Sequence, residues 1–249
     1  MAGGATTPRE RAAAVVRALA AAGSAARRAT AEWYFPTAER VLGVANPVWR
    51  PVVRTLAREL GAAPPREVIA TARALVAERT LEGRQAAYEL LSRHRAAAAA
   101  LDLRTVEALG RGMDNWASVD AFSCFVAGPA WRAGIVTDAA VARWARSPDR
   151  WWRRAALAST VPLNLASRGG RGDVPRTLAV CARLAADPDD MVQKALSWAL
   201  RTLVQHDAAA VRAFVAQHAG VVSARVKREV NNKLHTGRKN PRGARAVLR

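Results

Sequence analysis

The sequence predicts an all-α protein of HEAT-like helical repeats, stacked into a curved solenoid with a basic concave face. Three observations carry that prediction. Ala, Arg and Leu are abundant, while alternating β-branched runs are missing, so helix propensity prevails along the chain. Apolar residues recur at helical spacing. A short motif also repeats: Ser147-Pro148-Asp149-Arg150 precedes Trp152, Arg154 and Ala155, and forty residues on Asp187-Pro188-Asp189-Asp190 precedes Val192, Lys194 and Ala195. A period near 40 with paired helices is the mark of HEAT-type repeats, which bury their apolar stripes by stacking on neighbours.

The elements follow in order. An Ala-rich stretch broken by Arg17 predicts a helix over 8–22 rather than a secretion signal, which needs an unbroken apolar run. Segment 47–61 places Trp49, Val52, Val53, Leu56 and Leu60 on one helix face. Gly61 through Pro65 breaks the chain, and helices follow over 65–78, 80–94, 103–111 and 115–127. Gly128-Pro129 is the next break, before a helix over 136–146. The repeat motif then opens helices over 149–161 and 189–204, with 174–186 between them. In helix 189–204 the stripe is Val192, Ala195, Leu196, Ala199 and Leu203. Helices over 207–217 and 223–234 complete the set. No Gly/Ser linker divides the chain, so residues 1–235 read as one domain. Residues 236–249 read as a basic, disordered tail that either solubilises the chain or joins in binding a polyanion.

Charge narrows the function. The 249 residues hold 39 Lys and Arg against 20 Asp and Glu, a formal charge of +19. Eight Arg face two Asp within 141–176, and nine Lys or Arg face one Glu within 223–249. Such clusters point to a polyanion, of which nucleic acid is the commonest in a cytoplasm. Cys124 and Cys181 form no paired motif and lie near no His, which predicts neither a disulfide framework nor a zinc site and suits a reducing compartment. No uncharged apolar run reaches membrane-spanning length.

Two groups of residues stand out chemically. Lys194, Trp198 and Arg201 lie at i, i+4 and i+7, opposite the apolar stripe of their helix. A Trp between two cations suits a nucleic-acid backbone; the alternative is packing against the next repeat. Trp116 and Asp120, four residues apart, share a helix face. A carboxylate is repelled by phosphate, so on a DNA-binding face it needs a reason. One is to stabilise positive charge developing on a sugar; the other is a salt bridge to Arg153 or Arg154. His94, His206, His218 and His235 are scattered and suggest neither a metal site nor a triad. Gly169-Gly170-Arg171-Gly172 lacks the ending of a phosphate loop and reads as a basic connector.

Four passages give these residues a context. They are Trp33-Tyr34-Phe35-Pro36-Thr37 with Arg40-Val41-Leu42-Gly43-Val44; Trp116-Ala117-Ser118-Val119-Asp120; Trp151-Trp152-Arg153-Arg154-Ala155-Ala156; and Val192 through Arg201. Together, over roughly residues 30–235, the chain resembles the AlkD-like DNA alkylation repair proteins, a family of HEAT-like-repeat DNA glycosylases. The resemblance implies hydrolysis of the N-glycosidic bond of cationic N3- and N7-alkylated purines in duplex DNA. It implies an abasic product, no metal, no cofactor and no base flipping, where the general rule for base chemistry is extrusion. By the same resemblance Asp120 is the catalytic carboxylate, and Trp116 and Trp198 flank the deoxyribose. Arg154 holds a phosphate near the lesion, with Arg153 its neighbour, and Lys194, Arg201 and Tyr34 contact the backbone. The sequence departs from the family at Ala117 and Ser118, where bulkier and acidic residues are usual, and at 169–173, which resembles a small insertion. The expectation is a monomeric, monofunctional glycosylase acting on double-stranded DNA with alkylated purines. It would be cytoplasmic, associated with the nucleoid when on DNA, and would bind no membrane. The competing readings are a non-catalytic HEAT-repeat DNA-binding protein and a scaffold for an acidic protein partner.

Overall fold

A computed structural model describes residues 6–241. These residues are helical, and their one extended pairing is an isolated parallel bridge between Arg40 and Thr80. The all-α prediction holds. The chain divides after Val136 into two compact units. Residues 242–249 of the expected basic tail lie outside the described residues.

The first unit runs through α1 (Pro8–Ala21), α2 (Ala25–Tyr34), α3 (Asn46–Glu59), α4 (Pro65–Ala77), α5 (Leu81–Arg93), α6 (Arg95–Ala99), α7 (Leu103–Gly110), α8 (Trp116–Phe122) and α9 (Gly128–Arg132). Helix α5 is its axis, buried along most of its length and packed by α1, α3, α4 and α8. The stripe expected in α3 is buried at Trp49, Val53 and Leu56, and Leu60 follows it into the core. Arg84 of α5 is buried in an ion pair with Glu39, and it also donates to Tyr88 Oη and to the carbonyls of Leu109 and Arg111. That network ties three chain segments across the core.

The second unit holds α10 (Asp138–Trp144), α11 (Arg150–Ala158), α12 (Val161–Asn164), α13 (Val174–Arg183), α14 (Asp190–Leu203), α15 (Ala208–Gln217) and α16 (Ala224–Thr236). Helices α11, α14 and α16 pack in series, while α10 and α13 pack together beside them. The forty-residue repeat is visible in the caps. Asp149 accepts from the Trp151 N–H, and Asp189 accepts from those of Met191 and Val192, so each Asp starts its helix. Arg150 pairs with Asp189 and Arg153 with Asp187, joining the two repeats. Gln193, buried in α14, donates to the carbonyls of Ala185 and Asp187 and accepts from the Ser223 N–H, which fixes the start of α16. All five expected stripe residues of α14 are buried.

Three expectations need correction. The helix expected over 115–127 is α-helical only to Phe122; Ser123–Ala127 forms a π-turn that runs into α9. The helix expected over 149–161 stops at Ala158. Continuing it would require an N–H at Pro162, which proline lacks, and the chain restarts as α12 with that proline in its first turn. Helix α2 has no counterpart in the sequence-based reading. It buries no residue, so it carries no apolar stripe to detect. It is held instead by Ser24, whose side chain accepts from the Arg27 N–H, and by close approach to Gly43. Gly43 has φ +76, and a Cβ there would lie 2.6 Å from both Arg28 N and Ser24 O, so only glycine fits.

Candidate functional site

In the first unit, Trp116 and Asp120 sit at the start and middle of α8, both half-buried. Three local devices aim this helix. Asn115 caps it, accepting from the Ser118 N–H at 2.9 Å and donating to Ser118 Oγ at 3.1 Å. Asp114 accepts from Thr37 Oγ1 and the Ala38 N–H, both at 2.6 Å, so the segment after α2 is tied to the start of α8. The π-turn follows directly after Phe122; such turns insert one residue into a helix and recur at functional sites.

Burial pushes the Asp114 carboxyl up, but hydrogen bonds from Thr37, Ala38 and Asn115, with the charge of Arg84, outweigh it, and the net shift is downward from 3.8. A carboxylate with a depressed folded pKa stabilises above its unfolded pKa and loses that contribution as pH falls through the folded value. Thermal melts should therefore weaken as pH drops below about 4, and less steeply in Asp114→Asn. Identical acid limbs would show that this tie contributes nothing.

Around α8 lies an aromatic cluster. Tyr34 meets the Trp116 ring edge-on at 5.4 Å, Phe35 meets it at 5.2 Å, and Trp33 stacks on Tyr34 at 6.3 Å. Trp33 is 81% exposed and Tyr34 56%, unusual for such large apolar rings. Tyr34, Phe35 and Trp116 border a pocket of about 740 Å³ that Asp120, Trp49, Arg27 and Arg50 also line. The structure thus brings together three of the expected residues, Tyr34, Trp116 and Asp120. It adds one that the sequence did not reveal. Glu82 of α5, at the pocket wall, accepts from the N–H groups of Leu42 (2.9 Å), Gly43 (2.8 Å) and Val44 (3.2 Å). It holds the strap on which α2 rests.

The second unit supplies the others. Lys194, Trp198 and Arg201 are each partly exposed on one side of α14, opposite the buried stripe, Arg201 the least. Lys194 pairs with Asp190 at 2.8 Å, and Arg225 reaches the same carboxylate at 3.3 Å. Arg201 Nε is held by Ser197 Oγ at 3.1 Å. Arg154 is nearly buried and donates to the Met191 carbonyl, so it anchors the first turn of α14. Arg153 points elsewhere: it pairs with Asp187 and donates to the carbonyls of Ser147 and Pro148. Two adjacent arginines read alike in sequence; the helix sends them to different tasks.

No cluster of three or more His, Cys, Asp or Glu that could hold a metal occurs among the described residues. No described helix is long and apolar enough to cross a membrane.

A family model for the DNA alkylation repair enzyme matches residues 15–234. The chain belongs to that family. As a DNA alkylation repair enzyme it has a role in DNA repair, with DNA as its partner. Among solved structures it is similar to a predicted DNA alkylation repair enzyme from Enterococcus faecalis. That likeness has a TM-score of 0.69 at 19% identity and covers 86% of this chain and 97% of the other. At such identity it shows a shared fold. No curated protein matches the sequence.

Proposed function

We propose that this DNA alkylation repair enzyme is a monofunctional glycosylase for cationic N3- and N7-alkylated purines in duplex DNA. One observation carries the reading: in a chain of charge +19, Asp120 stands four residues from Trp116 in an aromatic-lined pocket. The chemistry suits such a base. Alkylation gives the purine a formal positive charge, so the glycosidic electron pair leaves with it and neutralises it. The deoxyribose is left as an oxocarbenium ion. Asp120 stabilises that cation and orients a water, whose oxygen bonds to C1′ while its proton passes through the carboxylate to solvent. The face of Trp116 favours the cationic sugar, and in the second unit Trp198 offers its face to a deoxyribose of the strand. Lys194, Arg201 and Tyr34 hold the phosphate backbone, and Arg154, buried against the Met191 carbonyl, sets the helix that carries Lys194 and Arg201. With the base already activated, the reaction needs neither a metal nor extrusion of the base. The product is an abasic site.

A duplex carrying a single N7-methylguanine tests this. Excess protein followed by mild alkali should cleave the strand at the lesion above the spontaneous depurination control. Tight binding with no cleavage there, or at an N3-alkyladenine, would replace this reading with a non-catalytic DNA-binding protein.

A further inference from the structure

Helix α16 ends at Thr236, and the chain then folds back along it. Gly237 takes the left-handed conformation that ends the helix, with φ 68. Lys233 Nζ donates to the Gly237 carbonyl at 2.8 Å, and Asn232 donates to the Lys239 carbonyl at 3.0 Å. This return sets Lys239 near α14. There Glu229, only 4% exposed, collects three groups: Ser197 Oγ donates to it at 2.6 Å, Lys239 Nζ lies at 3.3 Å and Arg201 Nε at 3.7 Å. A buried carboxylate offsets the mutual repulsion of cations drawn together. One negative charge stands against three positive ones, Arg201, Lys233 and Lys239, so the group keeps a surplus of two.

These three cations and Trp198 line a pocket of about 180 Å³. That is below the size of ordinary small-molecule sites, and every charged residue that lines it is cationic, beside the neutral Thr202 and Gln205. Each ammonium has three donors and spends at most part of them on the contacts above.

We infer that this pocket is a phosphate seat for the DNA backbone, built by Arg201, Lys233 and Lys239 and arranged by Glu229. The inference rests on the proposed duplex-DNA reading and adds Lys233, Lys239 and Glu229 to the Arg201 and Trp198 that it already uses. Trp198 borders the seat, so a phosphate held there places its own sugar beside the indole. Glu229 is a positioning residue: it fixes Arg201 Nε and Lys239 and leaves their remaining donors to the anion. The turn after α16 thereby belongs to the binding surface.

The test is duplex binding by the full chain across a salt series, with an undamaged oligonucleotide, comparing wild type with Lys233→Ala, Lys239→Ala and the pair. Each single change should make the log–log salt slope shallower by about one unit, and the pair should lose about tenfold or more in affinity near 0.1 M salt. Melting temperatures report any cost of leaving Glu229 and the Gly237 carbonyl with fewer partners, and the salt slope reads the lost phosphate contact separately. Wild-type binding with unchanged slope and affinity in the pair would overturn the seat while leaving the DNA reading intact. A wild type that does not bind duplex would overturn both. Inorganic phosphate binding that is lost in the pair, with DNA affinity unchanged, would overturn the assignment to the DNA backbone.

Discussion

Asp120→Asn is expected to slow excision of N7-methylguanine by about 10²–10³-fold, equivalent to about 3–4 kcal/mol of transition-state stabilisation. Asparagine keeps the shape and one acceptor oxygen, so α8 should stay in place, capped by Asn115 as before. What disappears is the full negative charge that the sugar cation requires. Duplex affinity should hold or rise, because one charge repelling phosphate is gone. Single-turnover rates at saturating protein separate the two effects. A rate equal to wild type would remove Asp120 from the mechanism, and parallel losses in binding and rate would assign it to structure.

The second large effect is on stability. Glu82→Ala should cost about 3–4 kcal/mol, since it leaves three backbone N–H groups, two of them buried, without their acceptor. For a chain of this length that is a drop of roughly 10 °C in melting temperature. The local damage should exceed the global one. The strap at 42–44 supports α2 through Gly43, and α2 ends at Tyr34, which packs on Trp116. Trp fluorescence should therefore change in the folded variant as well as at unfolding. A cost below about 1 kcal/mol would mean that water replaces the carboxylate.

The contrast between these residues shows what a sequence discloses. The stripe of α14 was legible because burial on one side leaves a 3.6-residue period, and the three residues off that stripe were correctly set apart. The repeat was legible because Asp149 and Asp189 do the same capping work. Glu82 was not. A glutamate within a helix looks like any solvated charge, and its partners lie some forty positions away on a strap with no pattern of its own. Helix α2 was missed for the complementary reason: it buries nothing, so no period marks it. Arg153 was grouped with Arg154 because adjacency in sequence hides the 100° turn between neighbours on a helix. Glu229 could have been found by its isolation, as the one acidic residue in a strongly basic segment.

The π-turn at Ser123–Ala127 bears on how the protein tolerates change. It holds one residue more than a regular helix would use over the same rise. Upstream are Trp116 and Asp120; downstream is Trp131, fully buried in the core. The wide turn therefore sets the angular phase between the working end of this rod and its anchored end. Deleting one residue of the turn other than Phe125, which lines the pocket, would let the segment relax to an ordinary helix with no charge altered and its two ends still in phase. The same deletion at Ala121, in the regular helix just upstream, would swing the carboxylate by about 100° about the axis relative to its anchor, off its pocket. The rod can give up length at the turn and keep its chemistry; one step away it cannot.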